Sequence, residues 1–109
     1  MITMLLFLTQ CYSSAMHLDR WDFDVSFVAN TDAYAATLAD TIYQIAEIEY
    51  DTLNLQGKNE VFLRRTVIHE LLHVLLWDLA EEGDLDTEEQ TISSIDRWPL
   101  WQRMCPLPE

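Results

Sequence analysis

The stretch EVFLRRTVIHELLHVLLWDL, Glu60 to Leu79, decides the reading of this chain. It holds neither Gly nor Pro and is long enough for about five helical turns, so it predicts one continuous central helix. At roughly 100° per residue, Val67, Leu71 and Val74 share one side, and Ile68, Leu72, Leu75, Leu76 and Leu79 the adjoining one. Polar groups are confined to the remaining sector, with Thr66, His69, Glu70, His73 and Trp77. A helix apolar over most of its surface is a buried helix, and polar groups turned inward without partners are costly. An ordinary surface-facing polar stripe fits that pattern less well than a site in which those groups are satisfied.

His69 and His73 stand four apart, one turn above each other, so both imidazoles can reach a single ion at roughly 2.0–2.1 Å. Glu70 is rotated by about 100° from His69, too far to ligate comfortably but able to reach a water held by the metal. Bound zinc lowers the pKa of such a water toward about 7, and a neighbouring carboxylate can take its proton as it attacks a polarised carbonyl. The spacing therefore predicts His69 and His73 as zinc ligands and Glu70 as general base.

Catalytic zinc takes three protein ligands and a water. His17, beside Asp19 and Arg20 where the first helix should end, reads as a surface or boundary residue. The better source is Glu88-Glu89, some fifteen residues beyond His73. The short Glu81 to Thr87 connection would fold that segment back along the central helix. Glu88 lies over the stripe made by Ile92 and Ile95, whereas Glu89 is drawn into a capping box if Asp86 is the N-cap. Glu88 is the expected third ligand and Glu89 the alternate, with the other serving as a favourable helix-start charge. Trp77 can wall a cleft but reads more simply as core. Tyr43 and Tyr50 are candidate oxyanion donors that nothing in the sequence selects.

Working outward, Met1, Met4, Leu5, Leu8, Cys11, Tyr12, Ala15 and Met16 fall at helical spacing and predict an amphipathic first helix, with Ser13 and Ser14 off the stripe. Residues Trp21 to Val28 alternate as a half-buried strand. Asn30-Thr31-Asp32 signals a turn, and Ala33 to Asp40 reads equally as short helix or as loop entering a strand. Thr41 to Tyr50, β-branched and aromatic, predicts a second strand. Asn54 to Asn59 breaks the pattern, and Glu81 to Asp84 ends the central helix. A last helix is expected from about Glu88 toward Arg97, capped by Asp86 or Thr87 and stopped by Pro99, with Trp98, Trp101 and Met104 packing back on the domain. The fold class is α+β: an N-terminal helix, a short antiparallel sheet, the central helix and a C-terminal helix beside it, in one domain over residues 1–109.

Half of the 109 residues are hydrophobic, enough for one core and too few for two. Nineteen acidic against six basic residues give a net charge of −13, which argues against a nucleic-acid partner, since phosphate binding needs Lys and Arg. The same charge would suit an acidic DNA mimic, although acidic surfaces more often serve solubility. Cys11 and Cys105 lie far apart with no CxxC spacing and are expected as two reduced, packed thiols. The apolar Ile2 to Leu8 run precedes Ser13-Ser14-Ala15, a passable signal-peptidase site, but no Lys or Arg comes before it. It is also far short of the roughly 20 residues of a membrane span. A soluble, cytoplasmic protein without a membrane partner is expected.

The run Thr66-Val67-Ile68-His69-Glu70-Leu71-Leu72-His73-Val74-Leu75, followed by Glu88-Glu89-Gln90 opening a helix, resembles zincin metallopeptidases whose third ligand is a downstream glutamate. In size and layout the chain looks like the minimal metallopeptidases of phage and prophage genomes, and more distantly like the ImmA/IrrE-type and SprT-like families. It lacks the Glu-Ala-Asn pattern of the ImmA/IrrE third ligand, and where metzincins carry a glycine and a third histidine it has Asp78-Leu79-Ala80. The resemblance implies a strand beside the metal helix on which an extended peptide can lie. It also implies peptide-bond hydrolysis with Zn2+ as cofactor, on a peptide or protein substrate, in the host cytoplasm if the chain is phage-encoded. The rival functions are a catalytically inactive zincin-fold binding or regulatory protein, and the DNA mimic.

Overall fold

The computed structural model describes residues 1–29, 31–77 and 85–107, the side chains of residues 85–88 excepted. The elements run α1 (Ile2–Ala15), β1 (Asp22–Val28), β2 (Ala35–Asp40), β3 (Ile45–Asp51), α2 (Thr52–Leu55), α3 (Glu60–Leu76), α4 (Leu85–Ile95) and α5 (Leu100–Met104). The α+β class is as expected, but the sheet is mixed and not antiparallel. Its order is β1-β3-β2, with β1 parallel and β2 antiparallel to β3. The parallel pair arises because the chain crosses from β1 to the far edge, forms β2, and returns through a tight turn into the centre.

The segment left open in the sequence, Ala33 to Asp40, supplies β2. Its inward positions Ala35, Thr37 and Ala39 are small, which weakens the strand signal but lets a helix approach closely. The expected strand over Thr41 to Tyr50 begins only at Ile45. Residues 41–44 form the turn, with Gln44 at a positive φ of 53° and Asp40 Oδ1 accepting from the Ile42 and Tyr43 backbone N–H groups. The sheet's inner face carries Phe23, Val25 and Phe27 from β1 and the buried Ala46, Ile48 and Tyr50 from β3. Its outer face exposes Asp22, Asp24, Asp40, Glu47 and Glu49 around Leu38 and Ile45.

Helix α3 begins where Asn59 caps it, its side chain accepting from the Phe62 N–H. Leu63, Val67, Ile68, Leu71, Leu72 and Val74 are buried, while Leu75, placed with the apolar face by periodicity, is exposed. The expected end near Leu79 lies outside the described residues. Helix α1 packs against α3, burying Leu5, Leu8 and Tyr12; Thr9 and Ser13 are buried with them, Thr9 in a 2.7 Å hydrogen bond with the Tyr50 hydroxyl. Asp51 caps the one-turn helix α2, whose last two residues, Asn54 and Leu55, fall in the stretch read as a break, and also accepts from the Thr31 N–H and hydroxyl. Asn54 Nδ2 donates to the Thr31 and Ala33 carbonyls, so the crossover leading into β2 is pinned at both sides.

Cys11 and Cys105 are joined in a disulfide, not two reduced thiols, closing a sequence separation of 94. Around it the C-terminal segment is held by polar contacts as well. Buried Arg64 donates to the Cys105 carbonyl, the Tyr12 hydroxyl and Glu60, and the Tyr12 hydroxyl donates to the Trp101 carbonyl. Trp101 packs edge-on against Tyr12, as its sequence position suggested, whereas Trp98 and Met104 are exposed. Bridging so long a loop restricts the unfolded chain, so replacing both cysteines by serine is expected to lower unfolding free energy by about 2–5 kcal/mol. Denaturant melts of the variant and the wild type, with thiol titration of the denatured wild type, check this; titratable thiols in the unreduced protein would contradict it.

Candidate metal centre

The polar sector of α3 faces a cleft of about 390 Å³ lined by Tyr34 and Ala35 on one side and by Glu89, Ser93 and Asp96 of the last helical segment on the other. His69 and His73 lie on its floor with ring centroids 5.0 Å apart. The side-chain donor atoms of His69, Glu70 and His73 all fall within 4.8 Å of one another.

Helix α4, the expected C-terminal helix, already includes Leu85, so Asp86 and Thr87 lie within it and not at its cap. Ile92 is fully buried, Ile95 packs beside the core, and Glu89, Ser93 and Asp96, at i, i+4 and i+7, turn to the cleft. Glu89 Oε1 lies 2.8 Å from His73 Nε2, and Glu89 Oε2 lies 3.2 Å from His69 Nε2. Glu89, the alternate third ligand, is thus the carboxylate brought against both imidazoles; the side chain of Glu88, the expected one, lies outside the described residues. Tetrahedral coordination with bonds of 2.0–2.1 Å separates neighbouring ligand atoms by about 3.3 Å. The observed spacings are close to that edge length.

Asp96, which the sequence reading did not single out, determines what those contacts mean. It is buried, 5% exposed, and its Oδ2 lies 2.8 Å from His69 Nδ1. A neutral imidazole has a single N–H, and giving it to Asp96 leaves the Nε2 lone pair facing a Glu89 oxygen. Two lone pairs at that distance repel unless a proton, on the imidazolium form, or a metal ion lies between them. A carboxylate behind a ligating histidine also fixes its tautomer and orientation at metal sites. The donor set of two imidazoles and a carboxylate therefore fits zinc. The signal that could have found Asp96 is the Glu89-Ser93-Asp96 ladder, which the capping-box reading obscured.

Glu70 is more deeply buried than either histidine, 5% exposed, and its Oε1 accepts from the Thr37 hydroxyl of β2 at 3.3 Å. Burial pushes its carboxyl above the ordinary range; His73, His69 and the Thr37 hydroxyl pull it back, and Glu89 adds a smaller upward push. His17 is exposed, at a positive φ of 61°, and not among the cleft residues. Neither candidate oxyanion donor reaches the cleft: Tyr43 is 73% exposed in the β2–β3 turn, and Tyr50 is buried against Thr9. Trp77 is half-buried and does not line this cleft.

No family model, curated protein or solved structure matches the chain.

Two outcomes are expected. If zinc occupies the site, Asp96→Asn weakens its binding by about 10- to 100-fold in a chelator competition titration, because it loosens the His69 ring while leaving both imidazoles and Glu89 in place. Glu70→Gln raises the melting point of metal-free protein at pH 7, a gain of order 1 kcal/mol, since it removes a buried charge. The sign follows from the raised pKa. Native Glu70 costs nothing extra below the carboxylate range and destabilises as pH rises through its raised value, so the gain vanishes near pH 4. Equal melting points at pH 7 would contradict it.

Proposed function

We propose that this chain is a zinc-dependent peptidase in which His69, His73 and Glu89 hold the metal and Glu70 is the general base. The observation that carries the reading is the Glu89 carboxylate lying against both imidazole Nε2 atoms while the other nitrogen of His69 is engaged by Asp96. When bound, zinc supplies a Lewis acid that polarises a carbonyl and acidifies a water. The chain's own residues do the rest. Glu70, adjacent in sequence to one ligand and held by Thr37, takes the proton of the attacking water and returns it to the leaving amine. A raised pKa suits a group that must both accept and deliver that proton. Asp96 keeps the His69 lone pair directed at the metal, and the apolar cleft wall limits competing solvent.

An extended peptide would lie in the cleft beside β2, a sheet-edge strand next to α3. Among the described residues no helix is long and apolar enough to cross a membrane. The Cys11–Cys105 bond favours an oxidising compartment over the cytoplasm that the poor leader suggested.

Metal analysis of protein purified without chelators is expected to find one zinc per chain, lost in His73→Ala. A peptide library should be cleaved by wild type and spared by Glu70→Gln, which keeps its zinc. Equal cleavage by Glu70→Gln would end the proposal. A second reading, a metal-holding protein that acts by contact, is favoured by one feature: Asp24 opposite Glu47 on an open sheet face, with Asp22, Asp40 and Glu49 nearby. Zinc retained without cleavage of any library member would support it.

A further inference from the structure

The geometry points to a carboxylate-recognition subsite at the end of the cleft opposite His73, with Arg65 as its anchor. It would select peptides that carry an acidic side chain, or their own terminal carboxylate, close to the scissile bond. This rests on the peptidase reading for the nature of the ligand, while the subsite itself rests on different residues.

Arg65 precedes His69 by four residues, so it sits one turn back on the same side of α3 and lines the same cleft. Its Nε faces Asp96 Oδ1 at 3.6 Å, too far for a hydrogen bond, and both atoms are buried without one among the described residues. Asp96 therefore aims the guanidinium without consuming its donors. The side chain is 39% exposed and has no other charged partner among the described residues. A planar guanidinium held from one side presents paired N–H groups to a carboxylate, the bidentate geometry at which Arg excels.

Its surroundings match such a ligand. Tyr34 and Phe62 meet edge-on at 4.8 Å, forming an aromatic ledge on the cleft wall. Lys58 lies 5.1 Å above the Phe62 ring and 5.5 Å above the Tyr34 ring, and with Arg65 and Phe62 it lines an adjoining hollow. The chain has six Lys and Arg in all. Two of them flank this end of the cleft, whereas Arg64 is occupied by Glu60 and the C-terminal segment. The net charge of −13 opposes anionic ligands at long range, but salt screens that field beyond about 8 Å while contacts with Arg65 persist. The four residues from Arg65 to His69 rise about 6 Å along the helix, close to two residues of extended chain, so the recognised carboxylate lies about two residues from the carbonyl at the metal.

The test uses the zinc-loaded full chain and a set of apolar hexapeptides. A single Glu is scanned through the positions, and each peptide is made with a free and an amidated C-terminus. Cleavage by wild type is measured alongside binding to the Glu70→Gln protein by fluorescence anisotropy. Members with a carboxylate at one position are expected to bind and react about tenfold or more better than the neutral peptide. The scan separates a side chain from a chain terminus as its source. Arg65→Met should flatten that preference and Arg65→Lys keep part of it. If no peptide is cleaved but the binding preference stands, the peptidase reading fails and the subsite survives. Cleavage or binding indifferent to the carboxylate in wild type, preference for basic peptides, an undiminished preference in Arg65→Met, or no binding of any acidic member would overturn the proposal.

Discussion

One carboxylate set against two imidazoles is the contact on which this architecture turns. Glu89 lies against Nε2 of both histidines while Asp96 engages Nδ1 of His69, so these groups need a shared positive charge, a proton or a metal ion, between them. Contacts of the described C-terminal residues help to hold α4 in that position. The Trp101 indole donates to the Ile95 carbonyl, beside Asp96, and Tyr12 and Arg64 tie the residues that follow to α1 and α3. Helix α3 is thus both the floor of the site and the post to which the opposing wall is attached.

The other wall depends on small side chains. Ala35 and Ala39 on the inner face of β2 leave space beside α3, and Thr37 between them uses its hydroxyl on Glu70. The strand is held to its neighbour by the register that pairs Thr37 with Ile48 and Ala35 with Tyr50. Asp51 and Asn54 then fix the crossover from which Tyr34 reaches the cleft. A modest network of turn hydrogen bonds therefore orders one wall of the cleft.

The parts readable from sequence were those with a strong period. Val67, Ile68, Leu71, Leu72 and Val74 report the buried sides of α3, and the four-residue step from His69 to His73 needs only helical geometry. Tertiary pairing was not readable: β2 is built from alanine and threonine, poor reporters of a strand, and the parallel direction of β1 and β3 is decided by a crossover that local pattern does not encode. The choice between Glu88 and Glu89 depended on which face of α4 meets the cleft, and Ser93 and Asp96, four and seven residues beyond Glu89, mark that face only once α4 is packed on α3. Asp96 was hidden because its role lies in a contact with His69, twenty-seven residues away. Cys11 and Cys105 meet because α1 and the C-terminal segment pack on the same helix, a proximity that spacing alone cannot express.

The open side of the sheet has a consequence for handling the molecule. Leu38, Ile42, Tyr43 and Ile45 are left in solvent near the β2–β3 turn, and the carboxylates around them supply the repulsion that keeps two such faces from stacking. High salt, which screens such repulsion, would leave the apolar residues between those carboxylates as a patch for self-association. Such behaviour would be set by the face of the sheet opposite to the one that packs on the core.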